Sequence, residues 1–158
     1  MTRIKQYLKA KRARINDNDI KFLKEILNAD ELAYFNKLPL FEKRHSLDVC
    51  YYLINNYGIK DVDILKAGLF HDIGKIEAKI TPEKKAIAVL LKRIGFLSTF
   101  FGNNIRFLNV YYNHPELSSK ICKKLGMNEV TIYIIKHHHD KDISDENILK
   151  FQKADREN

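Results

Sequence analysis

Six histidines carry most of the chemistry this sequence can offer. His71 is followed directly by Asp72, in the string Gly68-Leu69-Phe70-His71-Asp72-Ile73-Gly74-Lys75. An imidazole beside a carboxylate suits a divalent transition metal that must also activate water. Successive helical residues point about 100° apart, so both side chains reach one ion only near a helix end. Gly74 is expected to supply that end. Lys75 is placed to face the same cleft, where an ammonium neutralises phosphate oxygens. A lysine just past a helix end is also common for dipole reasons alone. Three more histidines run together as His137, His138 and His139, next to Asp140, and the last two are His45 and His114. Taken singly, each has a plainer reading. His45 can be a structural residue of an apolar helix, His114 a turn residue before Pro115, and the triplet a solvated helix end held by the dipole.

Taken together, these residues resemble the HD superfamily of metal-dependent phosphohydrolases. The family pattern is a lone His, then His-Asp, then a distant Asp. It is matched by His45 in Lys43-Arg44-His45-Ser46-Leu47, by His71-Asp72, and by Asp155 in Phe151-Gln152-Lys153-Ala154-Asp155-Arg156. The stretch from Ala67 to Ile76 is close to the motif of the His-Asp-Ile-Gly subgroup. The likeness runs from about Phe41 onward. It implies that His45, His71, Asp72 and Asp155 hold a first metal, and that Asp72 bridges to a second. His114 precedes a helix, as such a ligand often does, and Ile134-Ile135-Lys136-His137-His138-His139-Asp140 resembles the paired-histidine motif. The apolar lead-in puts that pair at His138 and His139, the other register being His137 and His138. The second metal would then be held by His114, His138 and His139.

The implied reaction is hydrolysis of a phosphoester by metal-bound hydroxide, with Asp72 and Lys75 as the catalytic side chains. A spare histidine such as His137 could protonate the leaving group. Mixed imidazole and carboxylate ligands without thiolate favour one or two ions of Mn²⁺, Fe²⁺, Co²⁺ or Zn²⁺ over Mg²⁺. Nucleotides, dinucleoside polyphosphates and cyclic dinucleotides all fit the resemblance. The Gly-Tyr-Pro extension of one cyclic-di-GMP-hydrolysing branch is missing, since Lys141, Asp142 and Ile143 follow His139-Asp140. Two other functions stay open: a di-iron oxygenase of the same superfamily, and a non-catalytic nucleotide-binding or partner-binding module.

Positioning these residues requires helices. With 6 glycines, 3 prolines and no alternating strand pattern, the chain reads as all-α: a single compact bundle with the metal site in its centre. Helices are expected over 17–28, from an Asp30 cap to Lys37, over 40–57 before Gly58, and from an Asp61 cap into His71. A further helix should open at Thr81-Pro82 and run to about Ile94. Gly95 and Gly102 bracket an apolar segment. Two separate helices are expected at 104–112 and from Pro115 to Gly126. Asn128 and Ser144 should cap the last two. Tyr51, Tyr52, Tyr111 and Tyr112 read as core-edge residues, with Tyr111 or Tyr112 within reach of a base or ribose.

Composition narrows the rest. The chain has 158 residues, 45% of them hydrophobic, enough for one domain with a sizeable core. Its apolar runs are short and broken by charge, so no segment is expected to cross a bilayer. Residues 1–16 form a basic arm ahead of a domain at 17–158. The arm's six cationic side chains lie within residues 1–14 and meet no acid. Without them the net charge of +8 falls to 22 basic against 20 acidic residues. The arm is expected to be a solvated terminus, with nucleic acid, an anionic membrane surface or an acidic partner as its other uses. It lacks the apolar stretch of a secretory signal, and the isolated Cys50 and Cys122 fit reduced thiols, so a cytoplasmic setting is expected.

Overall fold

The computed structural model describes residues 12–78, 81, 83, 84, 87, 88, 90 and 105–158. Within them the chain forms α1 (Asp17–Ile26), α2 (Ala29–Phe35), α3 (Leu40–Tyr57) and α4 (Val62–Phe70). A 3₁₀ segment (Ile73–Ala78) follows, then α5 (Arg106–Lys124), α6 (Glu129–His137) and α7 (Glu146–Glu157). No strand occurs among the described residues. The fold is the all-α bundle that the composition implies. No helix of the described residues is long and apolar enough to cross a membrane.

Side-chain caps set most of the helix starts. Asn16 opens α1 by accepting the Asp19 amide, while Asp19 accepts the Asn16 amide in return. Asn28 and Glu31 repeat this reciprocal box at α2. The α2 cap is therefore Asn28 and not Asp30, because only Asn28 has an acid at the third helical position to return its bond. Gly58 ends α3 in the left-handed region, at φ 64°, where a Cβ is costly. Asp61 caps α4 and Asn128 caps α6, as expected. The cap of α7 is Asp145 rather than Ser144: its carboxylate accepts the Ile148 amide at 3.0 Å.

The larger departure is α5, one helix where two were expected. Pro115 lies inside it. Proline usually breaks a helix because it lacks an N–H and crowds the carbonyl four residues back. The expected helix from Thr81 to Ile94 and the apolar segment between Gly95 and Gly102 fall outside the described residues, apart from the isolated positions named above. So does most of the arm.

The core runs through the middle of the bundle. Leu47 and Leu53 of α3, Leu69 and Phe70 of α4, Ile135 of α6, and Ile148 and Phe151 of α7 are fully buried. α4 packs against α3 and α6, α7 lies on α3 and α6, and α5 lies on the 3₁₀ segment and α6. Cys50 and Cys122 are buried free thiols. Burial pushes the Cys122 thiol up to about 12, so it stays protonated.

A polar brace ties α1 to α3. The buried Asp19 accepts from the Tyr51 hydroxyl at 2.8 Å and from Arg44 at 2.7 Å, and Arg44 also donates to Asp48. Burial raises the Asp19 carboxyl, but the Asn16 amide, Tyr51 and Arg44 outweigh it and hold the carboxyl below its ordinary value. Replacing Asp19 by Ala should cost about 2–3 kcal/mol, since three donors lose their acceptor. A depressed folded pKa stabilises the protein above the ordinary carboxylate pKa of 3.8. That contribution disappears as pH falls through the folded value. Urea melts of both proteins from pH 7 to pH 2 should therefore converge at the acid end.

Candidate metal centre

His71 is the first residue past α4, and Asp72 follows in the turn before the 3₁₀ segment. The helix end is not supplied by Gly74, whose φ is not positive among the described residues. A tertiary contact accompanies it instead. The buried Ser118 of α5 donates its hydroxyl to the His71 carbonyl at 2.7 Å and accepts the Gly74 amide at 2.9 Å. The Lys75 amide, which an α-helix would direct to the His71 carbonyl, instead closes a shorter turn onto Asp72. Gly74 is needed for a different reason. A Cβ there would lie 2.7 Å from the Leu117 Cβ, 2.8 Å from the His114 carbonyl and 2.9 Å from the Ser118 amide.

Three buried histidines share one arrangement. His71 Nδ1 donates to the Gly68 carbonyl (2.9 Å), His114 Nδ1 to Tyr111 (2.6 Å) and His138 Nδ1 to Ile135 (2.6 Å). Each acceptor sits three residues back, where the helix leaves its carbonyl short of a partner. Gly68 and Ile135 lie in the last turns of α4 and α6. Tyr111 lies four residues before Pro115, whose missing amide cannot reach it. With Nδ1 carrying the proton, each Nε2 keeps a lone pair. All three Nε2 atoms are buried and make no hydrogen bond. Buried polar atoms are nearly always satisfied, so three such Nε2 atoms close together form a donor set that fits a cation.

Two of these lone pairs, those of His71 and His114, face Asp72. Its Oδ1 lies 3.2 Å from His114 Nε2, and its Oδ2 lies 3.5 Å from His71 Nε2 and 3.9 Å from His45 Nε2. Asp155 Oδ1 lies 2.9 Å from His45 Nε2 and 3.7 Å from His71 Nε2. Donors bound to one ion at about 2.0–2.2 Å stand roughly 3.0–3.5 Å apart, close to these spacings. Two groups could each hold an ion: His45, His71 and Asp72, and His114, His138 and His139. Asp72 turns one oxygen to each.

The electrostatics suit ligation. Burial holds His114 well below its ordinary pKa, and Lys75, His138 and His139 add to the effect against Asp72. Burial likewise takes His138 down to about 3, and it lowers His139. These rings are neutral at neutral pH and keep their lone pairs. Burial opposes ionisation of Asp155, but His45 and His71 hold its carboxyl well below the usual range. His71 is raised because Asp72 and Asp155 outweigh burial.

His137 stands apart from both groups. It hydrogen-bonds Asp140 at 2.6 Å and packs on Tyr133, so a role for it as general acid has no geometric support. Of the two registers, the structure brings His138 and His139 beside His114. Lys75 is buried and ion-paired to Asp72, with its ammonium 5.9 Å from the Tyr111 ring. The Tyr112 hydroxyl donates to the Ala88 carbonyl rather than into the cluster. Two residues were missed from sequence. Glu42 is fully buried with Oε1 3.5 Å from the Lys75 ammonium, and Ser118 clasps the His71 turn. A glutamate in a first helical turn and a serine on a helix face give no signal that separates them from surface residues.

Gly74→Ala should push the 3₁₀ segment off α5, because the obstructing atoms include backbone. A loss of about 1–3 kcal/mol in a denaturant melt is expected, with a reduced capacity to take up Mn²⁺. Wild-type stability in that variant would mean that the Ser118 clasp tolerates a wider gap.

No curated protein and no solved structure matches the chain. The family model of the HD domain matches residues 44–157, which include His45, His71, Asp72, His114, the histidine run and Asp155. The chain belongs to the HD domain family.

Proposed function

We propose that this protein is a divalent-metal-dependent phosphohydrolase acting on a nucleotide-like phosphoester through a two-metal site. The observation that carries this reading is the set of three buried, unbonded Nε2 atoms, those of His71, His114 and His138, in two groups to each of which Asp72 presents one oxygen. His45, His71, Asp72 and Asp155 would hold one ion. His114, His138 and His139 would hold the other, with Asp72 shared. Such ions supply Lewis acidity and a water acidic enough to deprotonate at neutral pH.

The chain's own residues prepare that chemistry. The three carbonyl-bound Nδ1 protons fix the tautomer and turn the Nε2 lone pairs inward. Burial keeps the His114 and His138 rings neutral. His45, Asp155 and His139 are more exposed than His71, Asp72, His114 and His138, so substrate would approach from their side. Lys75 places a fixed positive charge beside Asp72, where phosphate oxygens would come to rest. Mixed nitrogen and oxygen donors suit Mn²⁺, Fe²⁺, Co²⁺ or Zn²⁺.

Protein loaded with Mn²⁺ or Co²⁺ should release phosphate or a nucleotide from at least one member of a mixed phosphoester panel. EDTA should abolish the release and added Mn²⁺ restore it. Turnover that survives chelation would contradict the reading, and oxygen uptake without phosphoester cleavage would assign the site to oxygenase chemistry. Metal content after desalting gives a second measure. Asp72→Ala should lose nearly all bound metal, whereas His114→Ala should lose about one ion of two. Wild-type metal content and turnover in His114→Ala would reduce the site to one ion.

A further inference from the structure

We propose that Glu42 is a positioning residue for Lys75: it anchors the ammonium that would otherwise rest on Asp72 alone, and thereby frees Asp72 for a cation. The inference depends on the metal reading given above. Glu42 lies in the first turn of α3, one turn ahead of His45, and two residues before the stretch that the family model matches. Its side chain is 0% exposed and that of Lys75 is 4% exposed. The ammonium is ion-paired with Asp72 Oδ2 and lies 3.5 Å from Glu42 Oε1. One buried cation thus stands between two buried carboxylates.

The consequence is a competition. Asp72 Oδ2 faces His45 and His71, so it is the oxygen an ion in that group would need. Lys75 already occupies it. If Asp72 were the only anion near Lys75, an incoming ion would have to strip a buried ammonium of its counter-charge. It would then sit beside that bare charge, and both costs would weaken binding. Glu42 removes them. The ammonium keeps a carboxylate when Asp72 turns its charge to the ion, and the Tyr111 ring face at 5.9 Å offers further support. Lys75 can then stay in the site as a phosphate-facing charge without blocking it.

A double-mutant cycle on Mn²⁺ affinity tests this, read by competition with a fluorescent indicator and accompanied by melting temperatures. Glu42→Gln keeps the shape and removes the charge, and it should weaken Mn²⁺ binding about tenfold. Lys75→Met should tighten binding, because the competitor is gone. The Glu42→Gln/Lys75→Met protein should bind at least as tightly as wild type. That rescue is the decisive readout, since a merely structural Glu42 would lower affinity in both backgrounds alike. An additive cycle, or wild-type affinity in Glu42→Gln, overturns the proposal while leaving the metal reading intact. Wild-type protein that takes up neither Mn²⁺, Co²⁺, Fe²⁺ nor Zn²⁺ defeats the metal reading itself, and the proposal with it. Should Glu42→Gln fail to fold, Glu42→Asp takes its place. It keeps the charge and shortens the reach, and its smaller loss must again vanish with Lys75→Met.

Discussion

A hydrogen bond from an imidazole Nδ1 to the carbonyl three residues back is the contact on which the rest of the site depends. It occurs at His71, His114 and His138. Helices leave their last carbonyls unpaired, and a proline leaves one unpaired in mid-helix. The protein uses two helix ends and one proline to make three such acceptors, and fills each with a histidine. The bond satisfies an orphan carbonyl and fixes the tautomer. It also leaves the opposite nitrogen bare. What would be a defect in a core, three buried polar atoms without partners, becomes a prepared set of donors.

Bare donors serve only if they meet at one point, and meeting requires the 3₁₀ segment to lie close on α5. Gly74 allows that approach by lacking a Cβ, and Ser118 fixes it by bonding both ends of the His71 turn. His114 stands one turn before Ser118 on the same helix, so the clasp that bends the chain after His71 also sets the gap between His114 and Asp72. Asp72 can then present a different oxygen to each group of histidines. A helix continuing past His71 would have turned His71 and Asp72 to different faces.

Much of this was legible in the sequence, because ligand type and local context are local properties. His45, His71-Asp72 and Asp155 stand out by residue type and order, and the caps at Asp61, Asn128 and Gly58 follow from side-chain chemistry. What could not be read was set by distance or by competition. Two cap-forming side chains near one helix start compete for the cap, and Asn28 and Asp145 won where Asp30 and Ser144 were expected. Pro115 read as a helix start because proline favours that place, yet α5 runs through it, packed on the 3₁₀ segment and α6. The separation of His137 from His138 and His139 depends on where α6 ends, one residue before His138. Glu42 is 33 positions from Lys75 in sequence, and only the packing of α3 against the His71 turn joins them.

The two N-terminal helices precede the stretch matched by the family model, yet they are wired into it by the same device. In each, the acid at the third helical position closes a capping box with one oxygen and binds a distant cation: Asp19 with Arg44, and Glu31 with Lys66 at 2.6 Å. A capping acid is normally solvated and contributes little beyond its helix. Here both acids are buried, so each would be costly without its cation. The pairing makes cap formation and docking conditional on each other. α1 cannot unwind at its start without taking from Arg44, which sits next to His45, one of its two carboxylate partners. The side of α3 that carries His45 is thereby held from behind by a helix that adds no residue to the cluster.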